Sequence, residues 1–197
     1  MSSPKVQQLI EALARLPSIG NKTAQRLAVH ILQNDRGSGA AIAAALTDAI
    51  DSVGNCQDCR NLSENPRCSI CSDNARDGRS ICVVEGPMDV LAIEQSTYFK
   101  GKYFVLMGRI SPLDGIGPEE IGLDKLEARL QSGEVKELIL ATNITVEGDA
   151  TAYYIAELAK KYQASATRIA FGVPMGGELE YVDSHTLGHA FESRTKI

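Results

Sequence analysis

Tryptophan is absent, and aromatic residues are only 5% of the 197 positions. Tyr98 is the first aromatic residue in the chain. The preceding half therefore has no aromatic platform on which to stack bases, and any nucleic acid bound there is held by its sugar–phosphate chain. No apolar run reaches the roughly 20 residues of a membrane span. Met1 to Leu16 has no signal-like apolar stretch before a small-residue cleavage site, so a cytoplasmic location is expected. There is no Gly-x-x-x-x-Gly-Lys-Ser/Thr phosphate loop, which argues against an autonomous ATPase, and Gly115-Ile116-Gly117 is too weak a match for nucleotide binding. The three histidines show no pattern with a nucleophile. His185 and His189, four apart, are read as structural or surface groups.

The net charge of −5 argues against a surface coated with cations. The charge is uneven, however. Residues 1–36 carry Lys5, Arg15, Lys22, Arg26 and Arg36 against Glu11 and Asp35. A basic end on an acidic body suits a polarised DNA binder, whose acidic part is kept off the phosphates.

Four of the five cysteines form two pairs, Cys56-x-x-Cys59 and Cys68-x-x-Cys71. In each turn both thiolates can face one ion, and two turns complete a tetrahedral shell, so one structural Zn2+ is expected. Four protein ligands leave no position for a reacting water. The competing reading is a set of redox thiols or disulfides. Cys82, in an apolar run, is read as a small buried residue on the first strand of a sheet.

Val6, Leu9, Ile10, Leu13 and Leu16 recur at helical spacing, which predicts a helix over 4–16. Pro17 breaks it, and Gly20 is expected to supply a position open to positive φ. A second helix starts near Asn21 with Ala24, Leu27, Ala28, Ile31 and Leu32 on its apolar face. Asn34–Gly39 reads as a polar break, followed by an alanine-rich helix over 40–53. Ile81–Val84, Tyr103–Met107, Val135–Ala141 and Arg168–Phe171 are strand-like runs. Between them lie helical stretches, Met88–Gln95, Leu123–Leu130 and Ala150–Tyr162. This alternation predicts a mostly parallel sheet. The long Gly- and Pro-containing loop Arg109–Gly122 is a candidate functional or partner-binding loop.

The segment from Leu16 to Leu27, with Pro17, Ser18, Ile19 and Gly20 ahead of Asn21, Lys22 and Arg26, resembles a helix–hairpin–helix DNA-binding motif. Backbone N–H groups at the start of the second helix can approach a phosphate there, and the helix dipole favours the anion. Lys22 and Arg26 share one helix face and can both reach the backbone. Gly20, Lys22 and Arg26 are therefore the candidate DNA-binding residues, and such contacts hold DNA without reading its sequence. The motif often has glycine where this chain has Ser18, which predicts a slightly different hairpin. An ordinary helical hairpin with two solvated cations is the plainer reading.

Val83-Val84-Glu85-Gly86-Pro87-Met88-Asp89 and Leu140-Ala141-Thr142-Asn143-Ile144-Thr145-Val146-Glu147-Gly148-Asp149 resemble the Toprim domain of topoisomerases, primases and some nucleases. The resemblance implies that catalytic members hold Mg2+ with a glutamate and an Asp-x-Asp pair. Here that pair is Asn143 and Thr145, and neutral ligands hold a hard dication poorly. Glu85, Asp89, Glu147 and Asp149 remain as an acidic patch at the strand ends, where α/β sheets place ligands. It can bind a basic partner, hold a metal weakly, or be merely solvated.

The chain thus reads as an α+β multi-module protein: a helix–hairpin–helix module (1–54), a four-cysteine zinc finger (55–72), an α/β Toprim domain (79–174) and a short C-terminal arm (175–197). The arm's apolar residues pack on their own domain or on a neighbour. This layout, with Ile139–Asn143, Thr145–Gly148, Gly172-Val173-Pro174, Gly176–Leu179 and Ser111–Pro118, resembles the RecR family of recombination mediators over essentially the whole chain. The resemblance implies a DNA-binding protein with no catalytic activity of its own, acting with RecO and RecF to help RecA replace single-strand-binding protein on gapped DNA. It implies homo-oligomers, dimers or ring tetramers joined through the terminal regions. It also implies DNA contacts at Lys22 and Arg26, and a partner such as RecO at Glu85, Asp89, Glu147 and Asp149. Two readings of other classes stay open: a Mg2+-dependent Toprim nuclease or primase-like enzyme, and an adaptor that binds only proteins.

Overall fold

The computed structural model describes residues 3–96, 98–170 and 172–194. Phe171, in the last expected strand, and residues 195–197 of the expected C-terminal arm lie outside these, as do the first two residues of the expected N-terminal module. The chain divides into two compact units, Met1–Val53 and Gly54–Ile197.

The first unit is helical: α1 (Pro4–Leu13), α2 (Asn21–Asn34) and α3 (Arg36–Ser52). Pro4 opens α1 at a position where its missing N–H costs nothing. The helix ends at Leu13, short of the expected Leu16, because the chain already turns there: Leu16 N–H donates to Leu13 O (3.2 Å) and Ile19 N–H to Leu16 O (3.1 Å). The small Ala24 and Ala28 are fully buried and let α1 and α2 pack closely around Ile10, with Val6, Leu9, Leu13 and Ile19 beside them. The expected break over Asn34–Gly39 shrinks to Asp35. Its carboxylate accepts the Ser38 N–H (2.9 Å) and caps α3, which therefore starts at Arg36 rather than beyond the glycines.

The second unit opens with the hairpin β1 (Gly54–Asn55) and β2 (Leu62–Ser63) and the one-turn helix α4 (Ser69–Ser72). Then follow β3 (Asp77–Val84), α5 (Pro87–Ser96), β4 (Gly101–Val105), α6 (Leu123–Gln131), β5 (Glu137–Ala141), α7 (Val146–Lys161), β6 (Ser165–Arg168) and α8 (Ser184–Glu192). The strands form one parallel sheet in the order β4-β3-β5-β6. Side chains alternate across it. Ile81, Val83, Phe104, Leu138 and Leu140 meet α6 and α7 on one face, and Cys82, Val84, Tyr103 and Val105 meet Val90 of α5 on the other. The last strand lies three residues before the expected Arg168–Phe171. It is an edge strand of mostly exposed residues, so an apolar-run criterion passes over it.

Candidate nucleic-acid interface, zinc site and strand-end carboxylates

In the hairpin between α1 and α2 the left-handed position falls on Ser18 (φ 64°), not on Gly20. Gly20 is extended (φ −80°, ψ 165°) and precedes α2 as its N-cap. The serine thus takes up the conformation that glycine usually supplies. No side chain caps α2, and its first intrahelical bond is Ala24 N–H to Gly20 O (2.9 Å). The N–H groups ahead of Ala24 are therefore not used within the helix. Lys22 and Arg26 are exposed one turn apart, on the side of α2 opposite the buried Ala24 and Ala28. His30, a further turn along, extends that exposed row; the same four-residue spacing makes it legible in the sequence.

Cys56, Cys59, Cys68 and Cys71 are all buried, none is in a disulfide, and their Sγ atoms lie within 4.8 Å of one another. The Cys59 and Cys68 Sγ atoms are 3.5 Å apart. A tetrahedral ion with Zn–S bonds of about 2.3 Å needs sulfur edges of about 3.8 Å, so the donor set fits one zinc ion. Backbone N–H groups already point at sulfur: Cys68 N–H at Cys56 Sγ (3.3 Å) and Cys71 N–H at Cys68 Sγ (3.5 Å). The Cys71 thiol is pushed down to about 6 by hydrogen bonding from Cys59, while Cys59 is pushed up by its bond to Cys71 and Cys68 is pushed up by burial. The chain has a structural Zn2+ site made by these four residues.

That site is tied to the sheet through consecutive residues. The Asp58 carbonyl accepts Arg129 Nη1 (3.1 Å), and the Cys59 carbonyl accepts the Val105 N–H (2.8 Å). Arg60 reaches the Leu106 carbonyl (3.0 Å) and the Ile121 carbonyl, with its guanidinium 5.8 Å from the Phe104 ring centre. Burial lowers the pKa of Arg60 from its ordinary value. Gly122 is required beside it, because a Cβ there would run into that guanidinium. Nothing in the sequence marks Arg60 out among the surface cations.

At the carboxyl ends of the strands, Glu85 is nearly buried and held by one residue. Its Oε1 accepts the Asn143 N–H and its Oε2 the Asn143 Nδ2, both at 2.8 Å. Arg109 Nη1 is 3.9 Å from the same Oε2. Asn143 thus satisfies Glu85 with two N–H dipoles, beside the Arg109 guanidinium. Thr145 caps α7 by accepting the Gly148 N–H (3.0 Å). Gly148 has no room for a side chain, since a Cβ would lie 2.0 Å from the Asn143 carbonyl oxygen. Asp89 accepts the Gly86 N–H (2.8 Å), and Asp149 pairs with Arg168 (2.6 Å). The Glu147 carboxylate makes no hydrogen bond or ion pair that involves the described residues. Among the described residues the four cysteines are the only group of three or more potential ligands placed to share an ion, so the acidic residues do not converge on one.

Comparison with known families aligns a RecR helix-hairpin-helix model with residues 6–50, a RecR zinc finger model of the four-cysteine type with 53–73, a Toprim domain model with 79–170 and a RecR C-terminal model with 172–195. A recombination protein RecR of Xanthomonas campestris pv. campestris is 53% identical over 195 residues, 99% of each chain. One of Hydrogenovibrio crunogenus is 54% identical over 197 residues and the whole of both chains. The chain belongs to the RecR family. In this RecR-family chain the expected modules occur in the expected order, and the helical hairpin, zinc site and altered Toprim strand ends lie on separate parts of the sequence. No helix of the described residues is long and apolar enough to cross a membrane.

Proposed function

We propose that this chain is a non-catalytic DNA-binding recombination mediator that acts in the cytoplasm with RecO and RecF to load RecA on gapped or single-strand-binding-protein-coated DNA. The observation that carries the reading is the hairpin: an α2 N-terminus with no side-chain cap, and beside it Lys22 and Arg26 exposed one turn apart. Free N–H groups, a favourable dipole and two charge-assisted donors suit a phosphate and are indifferent to base identity. Gly20 leaves the approach bare; a Cβ there would meet nothing within 4 Å. The absence of catalysis is supported by Asn143, whose backbone N–H and side-chain amide each donate to one oxygen of the glutamate that a Toprim metal would need.

Two supports bear on partners. The acidic group Glu85, Asp89, Glu147 and Asp149 suits a basic surface, which we assign to RecO, with Glu147 the carboxylate least committed within the chain. Among its described residues the first unit buries only Ile10, Ala24 and Ala28, whereas α3 buries nothing and exposes Ile42, Leu46 and Ile50 (53, 58 and 77% exposed). Such a face suits a second copy of the chain, in a dimer or a ring tetramer. Two phosphate contacts per chain give a salt slope of only about −2, and linked copies multiply them.

The test is DNA binding by the Lys22→Ala, Arg26→Ala double variant on mixed-sequence DNA. Loss of about 1–2 kcal/mol per contact, equal across sequences, is expected. Unchanged binding at moderate salt rejects the site. Mg2+-dependent cleavage or polymerisation by the purified chain, abolished by Glu85→Ala, would establish the nuclease or primase-like reading instead.

A further inference from the structure

We propose that the cleft between the zinc module and α6 is a second contact for the phosphodiester backbone of DNA; this rests on the DNA-binding reading above. The cleft has a volume of about 490 Å³ and is lined by Arg67, Lys102, Lys125 and Arg129 against Asp58 and Glu134. Gathering four cations in one concavity is unfavourable unless something answers their charge.

One of the four is answered within the chain. Arg67 pairs with Asp58 (2.6 Å), and both Arg67 Nη2 and Lys102 Nζ donate to the Cys71 carbonyl (3.1 Å each). That leaves Lys102, Lys125 and Arg129. Among the described residues, none of these three forms an ion pair. Arg129 is half-buried and fixed through Nη1 alone, to the Asp58 carbonyl (3.1 Å) and the Tyr103 carbonyl (3.2 Å). Its Nε and Nη2 hydrogens are not used by any of these bonds, and a guanidinium held in this way offers a planar fork to a phosphate oxygen pair with little entropy left to lose. Lys102 is likewise held, by one bond to a carbonyl, and Lys125 is a flexible, exposed ammonium one helical turn before Arg129. A pre-positioned fork flanked by two ammonium groups suits a phosphodiester. The cleft has no aromatic lining, so the bases are not gripped.

The experiment is a salt titration of binding to a mixed-sequence single-stranded oligonucleotide, using the full zinc-loaded chain. The proteins are wild type, Lys22→Ala with Arg26→Ala, Lys102→Met with Lys125→Ala, and Lys125→Glu alone. Zinc content is measured for each, because Lys102 touches the Cys71 carbonyl. With zinc retained, the Lys102/Lys125 variant is expected to flatten the log–log slope by about 1.4, two contacts at about 0.7 each. The single charge reversal, which leaves every described hydrogen bond intact, is expected to weaken binding several-fold. An unchanged slope and affinity in both cleft variants, with the Lys22/Arg26 variant still impaired, overturns the cleft and leaves the hairpin reading standing. No binding by wild type overturns both. Lysine footprinting separates DNA from a free anion. The oligonucleotide should protect Lys125 at phosphate-group concentrations where inorganic phosphate does not, and equal protection would overturn the DNA assignment.

Discussion

The two units of the chain are built on opposite terms. From Gly54 onward the interior is dense: both faces of the sheet are covered, and its largest side chains, among them Tyr103, Phe104 and Leu106, are fully buried. Two of its polar side chains find partners inside: the Tyr103 hydroxyl donates to Glu94 (2.6 Å) and the Thr142 hydroxyl to the Gly148 carbonyl (3.1 Å). Up to Val53, three of the described residues are buried in a three-helix unit, and Ile42, Leu46, Ile50 and the cations face outward. The contrast lies in core size, since the second unit also leaves Tyr98, Tyr153, Tyr181 and Phe191 outside. A small core of this kind gives little stability alone, so the first unit is where partners are expected to matter most.

Zinc removal should separate the two most sharply. The segment from Gly54 to Asp73 has almost no apolar interior besides its cysteines and the partly buried Ile70, so metal binding is folding energy there. Cys59→Ser, or chelation, is expected to unfold the segment, at a cost of several kcal/mol. It should also loosen Val105 and the loop around Ile121, which the Asp58–Arg60 stretch anchors. Hydrogen exchange read by peptide should rise across 54–73 and 104–122 while α1 and α2 stay unchanged. Metal analysis should find one ion per chain in the wild type. A metal-free chain with native exchange would break the comparison.

The next effect tests the outward face of the first unit. Leu46→Lys and Ile50→Lys replace exposed side chains, so helix content and the melting temperature of an isolated chain should change little. If α3 covers itself with a second copy, each substitution removes up to about 1.5–3 kcal/mol from association. Light scattering across protein concentrations should then show smaller assemblies. Unchanged assembly would mean that α3 is not the contact.

A third substitution probes how the second unit satisfies its own charge. Asn143→Asp removes the Nδ2 donor and sets a second carboxylate against Glu85. The expected loss is about 1.5–3 kcal/mol. Mg2+ should recover part of it, because the pair then resembles a hard-cation site. Thermal melts with and without Mg2+ measure this. Equal stability in both would show that the amide is not standing in for a cation.

How much of this was legible depended on how local each cause is. The zinc ligands all fall between positions 56 and 71, and their spacing alone marks them out. The alternation of strands and helices survived because apolar runs record burial. The Glu85–Asn143 clamp joins residues 58 apart, so the sequence yields the missing carboxylate but not what the asparagine does instead. The edge strand Ser165–Arg168 carries no apolar run to announce it. Arg60 looks like any surface arginine until the fold lays the Leu106 and Ile121 carbonyls in front of it.

The smallest effect is also the one where a residue-type rule misleads. Glycine is expected where φ is positive, yet here Ser18 is at φ 64° and Gly20 is extended. A non-glycine residue in the left-handed region costs about 1–2 kcal/mol, while glycine brings back about 0.5–1 kcal/mol of unfolded-chain entropy. Ser18→Gly should therefore stabilise the first unit by about 0.5–1 kcal/mol and leave the salt slope of DNA binding untouched. Gly20→Ala is its counterpart. The backbone there tolerates alanine and a Cβ meets nothing, so stability should hold within about 0.5 kcal/mol. Any loss of DNA affinity in Gly20→Ala then reports a phosphate approaching where the Cβ now stands. Urea denaturation and DNA titration of the two variants together separate the shape of the hairpin from access to it. If Gly20→Ala leaves DNA affinity unchanged, the bare N-terminus of α2 is not where DNA sits.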